Sequence, residues 1–336
     1  MKIAFFDTHQ FDRNAILKEI KDFEHEITFF DTRLTEQTAN LAIGYPCVCA
    51  FVNDRLDSKT LRTLSTGGTQ LIALRSAGFN HVDLKAARDL GLRIVRVPEY
   101  SPYAVAEHAV TLILSLNRKI YRAYNRVREG NFSLDGLVGF DLHKKTVGIV
   151  GTGKIGSVMA KILNGFGCHV LAFDYVQNPA LVEMGGEYVA LDELLQKSDI
   201  ISLHVPLTPE TRHIINAKAL SLTKAGVMLI NTGRGALIDT RALVQFLKSG
   251  HIGYAGLDVY EEEEGIFFEN LSDQILQDDQ LARLLTFPNV LLTSHQAFLT
   301  EEALGNIART TLQNITDFEN GINLINEVCA DKNLKR

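Results

Sequence analysis

The sequence predicts an α/β protein of two domains, each a parallel sheet wound on both faces by helices. Three observations predict it. Short apolar runs alternate with helical patterns over residues 1–100, and the alternation starts again at Lys145. Such alternation is the mark of a parallel sheet flanked by helices. The chain has 336 residues, too many for one ordinary core and comfortable for two.

In order along the chain, MKIAFF, EITFF, CVCAFV, QLIALR and RIVRV read as strands. RNAILKEIKD, DSKTLRTLSTG and DLKAARDLG read as helices between them. A helix then begins near Pro102, with Ser101 as its cap. The segment PYAVAEHAVTLILSLNRKIYRAYNRVRE holds helical apolar spacing with no internal proline or glycine, so one helix of about 40 Å is predicted. The second alternation supplies KTVGIVG, HVLAFD, DIISLHV, VMLIN, GYAGLDV and NVLLT as strands. Glu261 to Glu264 read as a solvated turn. The stretch from Gly265 to Pro288 is longer than a usual loop, which predicts a functional or locally helical segment. Thr300 to Asn320 reads as a final long helix, and no repeat, low-complexity tract or flexible linker interrupts the pattern.

Composition narrows the function. The chain is 46% hydrophobic and 22% charged, with a formal net charge of -6. A mildly acidic chain without a Lys/Arg cluster has no electrostatic footprint for nucleic acid or an anionic membrane. No apolar stretch approaches the roughly 18 residues of a membrane span. The apolar start MKIAFF is too short for a secretory signal, so a cytoplasmic protein is expected. Of Cys47, Cys49, Cys168 and Cys329, the first two share one strand face and none shows metal spacing. Free, mostly buried thiols and no metal are expected.

KTVGIVGTGKIGSVMAKIL places Gly151, Gly153 and Gly156 in G-x-G-x-x-G spacing, after a strand and before a helix. Gly151 allows the tight turn, Gly153 lets a pyrophosphate approach the helix N-terminus, and Gly156 lets helix and sheet close up. Asp174 ends the next strand, 18 residues past Gly156. A carboxylate there accepts from both ribose hydroxyls and repels a 2′-phosphate, which predicts NAD as the cofactor.

Ligands of open parallel sheets bind beyond the carboxyl ends of the strands. Arg234 follows VMLIN, Asp258 and the glutamates 261 to 264 follow GYAGL, His295 follows NVLLT, and His204 follows DIISL. An arginine, a carboxylate and a histidine suit oxidation of a 2-hydroxy acid or reduction of a 2-keto acid. The arginine holds the substrate carboxylate in a planar fork. The histidine exchanges a proton with the hydroxyl. A carboxylate beside it orients the imidazole and favours its charged form. By strand position His204 and His295 are nearly equal candidates, and four consecutive glutamates do not identify one. The glycines flanking Arg234 are expected to make room for the ligand.

GTGKIG with Asp174, SLHVPLTPETRHIIN, NTGRGALID, GLDVYEEE and LLTSHQAF together resemble the D-isomer-specific 2-hydroxyacid dehydrogenases over nearly the whole chain. The resemblance implies a Rossmann cofactor domain, residues 101–298, inserted into a flavodoxin-like substrate domain formed by 1–100 and 299–336. It implies Arg234 as the substrate-binding catalytic arginine, Glu263 as the catalytic glutamate and His295 as the general acid/base. His204 then takes a structural role. Asp258 is implied near the nicotinamide and His295, and Thr232, Gly233, Val205, Pro206, Lys154, Ile155 and Thr211 at cofactor-lining positions.

RSAGFNHVDL resembles the loop whose amides, around Ala77 and Gly78, hold the substrate carboxylate. Tyr100 in VPEYSPYAVAEHAV and Phe298 in LLTSHQAF resemble substrate-facing aromatics of the branch that interconverts pyruvate and D-lactate. The insertion GIFFENLSDQILQDDQLARLLTFPNV resembles that branch as well, and Phe51 is either a further apolar wall or a core residue. Such a chain is expected to work with a small-molecule substrate as a homodimer or higher homo-oligomer. Two other readings stay open: a dehydrogenase of a bulkier keto acid, and a non-enzymatic NAD(H)-sensing relative.

Overall fold

The computed structural model of the chain describes residues 1–330 of the 336; the end of the expected segment 299–336 lies outside the described residues. The chain divides into two compact units, Met1–Ser101 with Phe298 onward, and Pro102–Ala297.

The first unit carries β1 (Lys2–Phe5), α1 (Gln10–Glu19), β2 (Glu26–Phe29), β3 (Cys47–Ala50), α2 (Ser58–Thr66), β4 (Leu71–Leu74), α3 (Leu84–Asp89) and β5 (Arg93–Arg96). Each expected strand run forms a strand, and the sheet runs β2-β1-β3-β4-β5, all parallel. Both sheet faces are covered, so its strands read as continuous apolar runs rather than as alternation. Ala4, Val48, Ile72 and Ile94 pack with Leu61, Leu64 and Ala87 of α2 and α3. Ile3, Phe5, Cys47, Cys49 and Leu71 pack on the other side with Ala308, Leu312 and Ile315 of the C-terminal helix Glu301–Glu319. Each fully buried leucine or isoleucine there contributes about 1.5–3 kcal/mol. Asp57, Asp83 and Thr300 cap three of the helices by accepting N–H groups of the first turn. Among the described residues none of the four cysteines is in a disulfide. Burial pushes Cys49 up to about 12 and Cys47 well above its ordinary value, so both stay protonated and behave as small apolar residues.

The second unit opens with α4 (Pro102–Arg118) and α5 (Ile120–Arg128). There follow β6 (Thr146–Val150), α6 (Lys154–Gly165), β7 (His169–Phe173), α7 (Pro179–Glu183), β8 (Glu187–Tyr188), α8 (Leu191–Lys197) and β9 (Ile200–Leu203). Then come α9 (Ala217–Leu222), β10 (Val227–Asn231), α10 (Thr240–Lys248), β11 (Ile252–Leu257), α11 (Asp279–Thr286) and β12 (Val290–Leu292). The sheet order is β12-β11-β10-β9-β6-β7-β8, all parallel. Order reverses between β6 and β9, the switch point at which such sheets bind ligands. The two-residue edge strand β8 was not read from the sequence, being too short to carry a period. The long segment after Gly265 forms α11 over its second half.

The single 40 Å helix expected from Pro102 is corrected to two. Lys119 adopts φ +50 between α4 and α5. The buried Asn117 side chain donates to the Phe140 carbonyl at 2.6 Å and accepts the Phe140 N–H at 2.7 Å. The Lys119 ammonium donates to the Val138 carbonyl at 2.6 Å. These contacts with a distant loop end α4 at 17 residues, about 25 Å. No periodicity within the helix announces them.

Candidate active site

At the carboxyl end of β6 the three glycines are required for different reasons. Gly151 has φ +98, and a Cβ on it would lie 2.6 Å from the His204 carbonyl carbon. A Cβ on Gly156 would run into the Gly151 carbonyl oxygen, so this glycine lets the helix close onto the strand. Gly153 has nothing within 4 Å of a built Cβ. The space before it is open, and α6 begins there without a side-chain cap, as an anion-binding helix end requires. Lys154 is exposed and Ile155 half-buried on the first turn.

Asp174 follows β7 and docks on the same loop. Its Oδ2 accepts the Thr152 N–H at 2.6 Å and the Thr152 hydroxyl at 3.2 Å, and its Oδ1 accepts the Val176 N–H at 3.3 Å. The Tyr188 hydroxyl donates to Thr152 Oγ1 at 2.7 Å. Thr152 and Tyr188 were missed in the sequence; the threonine inside GTGKIG was the available signal. Past β10, the Thr232 hydroxyl is buried without a hydrogen-bond partner among the described residues. The open helix end, the ribose-type carboxylate and this unsatisfied hydroxyl fit a dinucleotide. Val205 and Pro206, half-buried and exposed, follow β9 at the same sheet end.

Three neighbouring parallel strands, β10, β11 and β12, end just before Arg234, the glutamate run and His295. His295 has φ +54, and its N–H donates to the Asp258 carbonyl at 2.7 Å. That turn brings Nδ1 to 2.9 Å from Glu263 Oε1, while Glu263 Oε2 accepts the Tyr260 N–H at 3.2 Å. Glu261 is engaged elsewhere, with His213 at 2.6 Å and Arg212 at 3.3 Å; Glu262 and Glu264 are exposed. Of the four, Glu263 is the one that meets His295. His204 lies in a different setting. Its ring meets the Ser202 hydroxyl at 2.9 Å, and burial pushes it down to about 4. A neutral, enclosed imidazole is a structural group.

Arg234 is half-buried, and its guanidinium donates to the Gly233 carbonyl at 2.8 Å. Among the described residues no carboxylate pairs with it. The expectation that both flanking glycines make room for a ligand is corrected at Gly235, where a Cβ would run into the Tyr260–Glu261 peptide. That glycine makes room for protein. At Gly233 the nearest atom to a built Cβ is Leu237 Cδ1 at 3.3 Å.

Two of the expected cofactor-lining residues, Asp258 and Thr211, make hydrogen bonds within the protein. Asp258 is fully buried. Its Oδ1 accepts the Thr293 hydroxyl at 2.6 Å and the Gln296 N–H at 2.9 Å; its Oδ2 accepts the Ala297 N–H at 2.9 Å. His108 of α4 lies 3.3 Å from Oδ1. Burial would push this carboxyl up, but the bonds from His108, Thr293 and Ala297, with the His108 charge, hold it below its ordinary value. Asp258 therefore staples the turn that presents His295. His108 was missed because a lone histidine on an apolar helix reads as a packed one. Thr211 is likewise occupied: its hydroxyl donates to the Pro206 carbonyl at 2.6 Å and accepts the Thr208 N–H at 2.8 Å, closing the turn 206–211.

In the first unit, Ala77 and Gly78 follow β4. The Arg96 guanidinium donates to the Ala77 carbonyl at 2.6 Å, and the Ser76 hydroxyl to the Gly78 carbonyl at 2.8 Å. With the carbonyls tied back, the N–H groups of Ala77 and Gly78 donate to no acceptor among the described residues. Phe298 meets the rings of Phe11, Phe51 and Tyr100 edge-on at 6.0, 6.3 and 6.4 Å. Phe51 is a core residue, 4% exposed, with the Arg75 guanidinium 4.5 Å from its ring centre.

Comparison with known proteins adds to this geometry. Residues 110–297 match the model of the D-isomer specific 2-hydroxyacid dehydrogenase NAD binding domain. The chain is 52% identical to the 2-hydroxyacid dehydrogenase homolog 1 of Schizosaccharomyces pombe, over 95% of this chain and 96% of that one. It is 51% identical to the D-lactate dehydrogenase of Escherichia coli, over 98% of this chain and all of that one (100%). Among solved structures, the pyruvate reductase of Chlamydomonas reinhardtii superposes with a TM-score of 0.93 at 48% identity, covering 97% of this chain and 98% of that one.

Proposed function

The chain belongs to the D-isomer-specific 2-hydroxyacid dehydrogenase family, and from that premise we propose that it is an NAD-dependent D-lactate dehydrogenase acting mainly as a pyruvate reductase. The observation that carries this reading is the 2.9 Å Glu263–His295 pair, at a strand end next to that of an arginine without a carboxylate partner among the described residues. Pro102–Ala297 is the cofactor domain in this reading, and the remainder of the chain is the substrate domain.

Gly151, Gly153, Lys154, Ile155 and Gly156 hold the pyrophosphate, Asp174 the ribose, and Val205, Pro206, Thr232 and Gly233 line the nicotinamide side. Bound NADH supplies the hydride for the keto carbon. Arg234 grips the pyruvate carboxylate and polarises the carbonyl. In the substrate domain, the amides of Ala77 and Gly78 are donors for a substrate carboxylate, and Tyr100 and Phe298 are the substrate-facing aromatics. Glu263 accepts from Nδ1–H of His295; the imidazolium gives its Nε2 proton to the carbonyl oxygen as lactate forms and is left as the neutral Nδ1–H tautomer. Asp258 acts one step back, by holding the turn that aims the imidazole. The relatives named D-lactate dehydrogenase and pyruvate reductase support pyruvate as substrate. Free thiols support a cytoplasmic setting. Exposed Tyr124, Val127, Phe132 and Leu134 support a homodimer, since apolar surface of that kind marks contact sites.

The test is NADH oxidation against pyruvate, 2-ketoisocaproate and phenylpyruvate, with the product's configuration determined. Pyruvate is expected to give the highest kcat/KM and the D product. A higher kcat/KM for a bulkier acid moves the assignment to that substrate. Tight NADH binding without turnover on any of them supports a sensor instead.

A further inference from the structure

The turn that carries Glu263 runs on into Gly265-Ile266-Phe267-Phe268, the start of the long segment noted in the sequence. The N–H groups of Ile266 and Phe267 both donate to the Glu263 carbonyl at 3.1 Å, so the chain folds back at the glutamate. Phe267 is buried in the core of its unit and anchors the turn. Phe268, the next residue, has φ +67. That left-handed conformation costs a bulky side chain on the order of 1–2 kcal/mol, so the surroundings must hold it there. It leaves the second of two adjacent phenylalanines half-buried at the edge of that core and beside His295, with ring centroids 6.1 Å apart and planes tilted by 33°. His295 itself has φ +54. Two left-handed residues, neither of them glycine, therefore meet at the imidazole that Glu263 holds.

We propose that Phe268 is a positioning residue for the proton transfer: its ring fixes the plane of the His295 imidazole and keeps water from the Nδ1–Glu263 hydrogen bond. This inference rests on the reading of His295 as the general acid and extends it to the inserted segment. A ring tethered at one nitrogen can still swing about that bond, and losing alignment by a fraction of an ångström costs rate steeply. An apolar face removes the freedom, and excluding water strengthens the bond to Glu263. Among the described residues, Glu263 is the charged group hydrogen-bonded to the imidazole. Glu263 comes from Phe268's own turn. Asp258 at the end of β11 reaches His295 through its backbone carbonyl, with His108 of α4 behind it.

The test compares Phe268→Gly, Phe268→Leu and Phe268→Tyr in the full chain. Glycine tolerates the left-handed backbone and removes only the ring. Two readouts are taken: kcat with the KM values for pyruvate and NADH, and NMR of the His295 ring nitrogens without cofactor, at a pH where the ring is neutral, assigned with His295→Gln. In Phe268→Gly, kcat should fall about tenfold with KM for NADH unchanged. The single Nδ1–H tautomer of the parent should become a mixture, and Phe268→Tyr should restore both properties. Leucine should lie between, and it carries the test if the glycine variant does not fold. Parental kcat together with a single Nδ1–H tautomer in Phe268→Gly would overturn the proposal. If the parent itself does not reduce pyruvate, the assigned activity fails, while the nitrogen spectra still decide the role of Phe268.

Discussion

Each sheet places an arginine shortly after a strand's carboxyl end, and the two arginines live in opposite surroundings. Arg75, directly after β4, is 2% exposed. Its guanidinium lies 4.6 and 4.5 Å from the ring centres of Phe5 and Phe51. Its Nε donates to Asp12 at 3.3 Å, and its Nη2 donates to the Asp7 carbonyl. Arg234, after β10, is half-buried, donates to the Gly233 carbonyl and among the described residues meets no carboxylate. The same side chain at a similar place in a parallel sheet is part of the fold where its charge is matched. Where its charge is unmatched, it is available to an anion. Buried aspartates divide in the same way. Asp54 of the first unit is enclosed with two backbone N–H donors, from Leu34 and Phe51. Asp258 of the second has a histidine beside it as well as hydroxyl and N–H donors.

Substitution separates the two arginines most sharply through activity. His295→Ala should lower kcat for pyruvate by about 10²–10⁴-fold, and Arg234→Lys should lower kcat/KM by about 10²-fold through loss of the planar fork. NADH affinity, read by fluorescence, should survive both changes. If His204→Ala cost more turnover than His295→Ala, the roles of the two histidines would be reversed.

Stability should separate them the other way. Arg75→Met leaves Asp12 buried without its cation, a loss of about 3–5 kcal/mol. Arg234→Met should lie within about 0.5 kcal/mol of the parent. Urea midpoints check both, and equal losses would erase the distinction between a matched and an unmatched arginine.

Acidity tests the aspartates. Burial pushes Asp54 up to about 7, against the pull of Arg75 and the N–H groups of Leu34 and Phe51. The folded chain then holds this proton more tightly than the unfolded chain, whose value is near 3.8. Its stabilising contribution is complete below that value and is lost as pH rises towards 7. Relative to Asp54→Asn, the parent should lose about 4 kcal/mol over this window. Asp258 has the opposite sign: held below 3.8, it stabilises above that pH, and the contribution is lost as pH falls. Urea unfolding of parent and Asp54→Asn from pH 4 to 7 measures the first effect; parallel profiles would refute it.

These contrasts also show what the sequence can and cannot reveal. Apolar runs such as CVCAFV and VMLIN announced their strands because both faces of each sheet are buried. The break at Lys119 escaped notice because Asn117 is drawn to Phe140, far along the chain. Residue type and strand end pointed to Arg234 and to two histidines. Only the fold shows that one histidine sits against Glu263 and the other against Ser202. The inward turn of Asp258, the closure of Thr211 on its own loop and the crowding at Gly235 all depend on partners that spacing does not record. Arg75 attracted no attention at all, since RSAG carries no sign of the three aspartates waiting for it.

The smallest effect is expected within the glycine loop, where the molecule again sets an open site beside a filled one. Gly156→Ala drives a methyl group into the Gly151 carbonyl oxygen, and relief by backbone shift should cost about 1–3 kcal/mol of stability. Gly153→Ala meets no protein atom within 4 Å, so the fold should be unchanged to within about 0.5 kcal/mol. The added methyl would instead occupy the approach of the pyrophosphate to the start of α6, and NADH affinity should fall about tenfold. Thermal unfolding and NADH titration of the two variants separate these outcomes. Undiminished NADH affinity in Gly153→Ala would mean that the space before α6 is kept open for something other than the cofactor's phosphates.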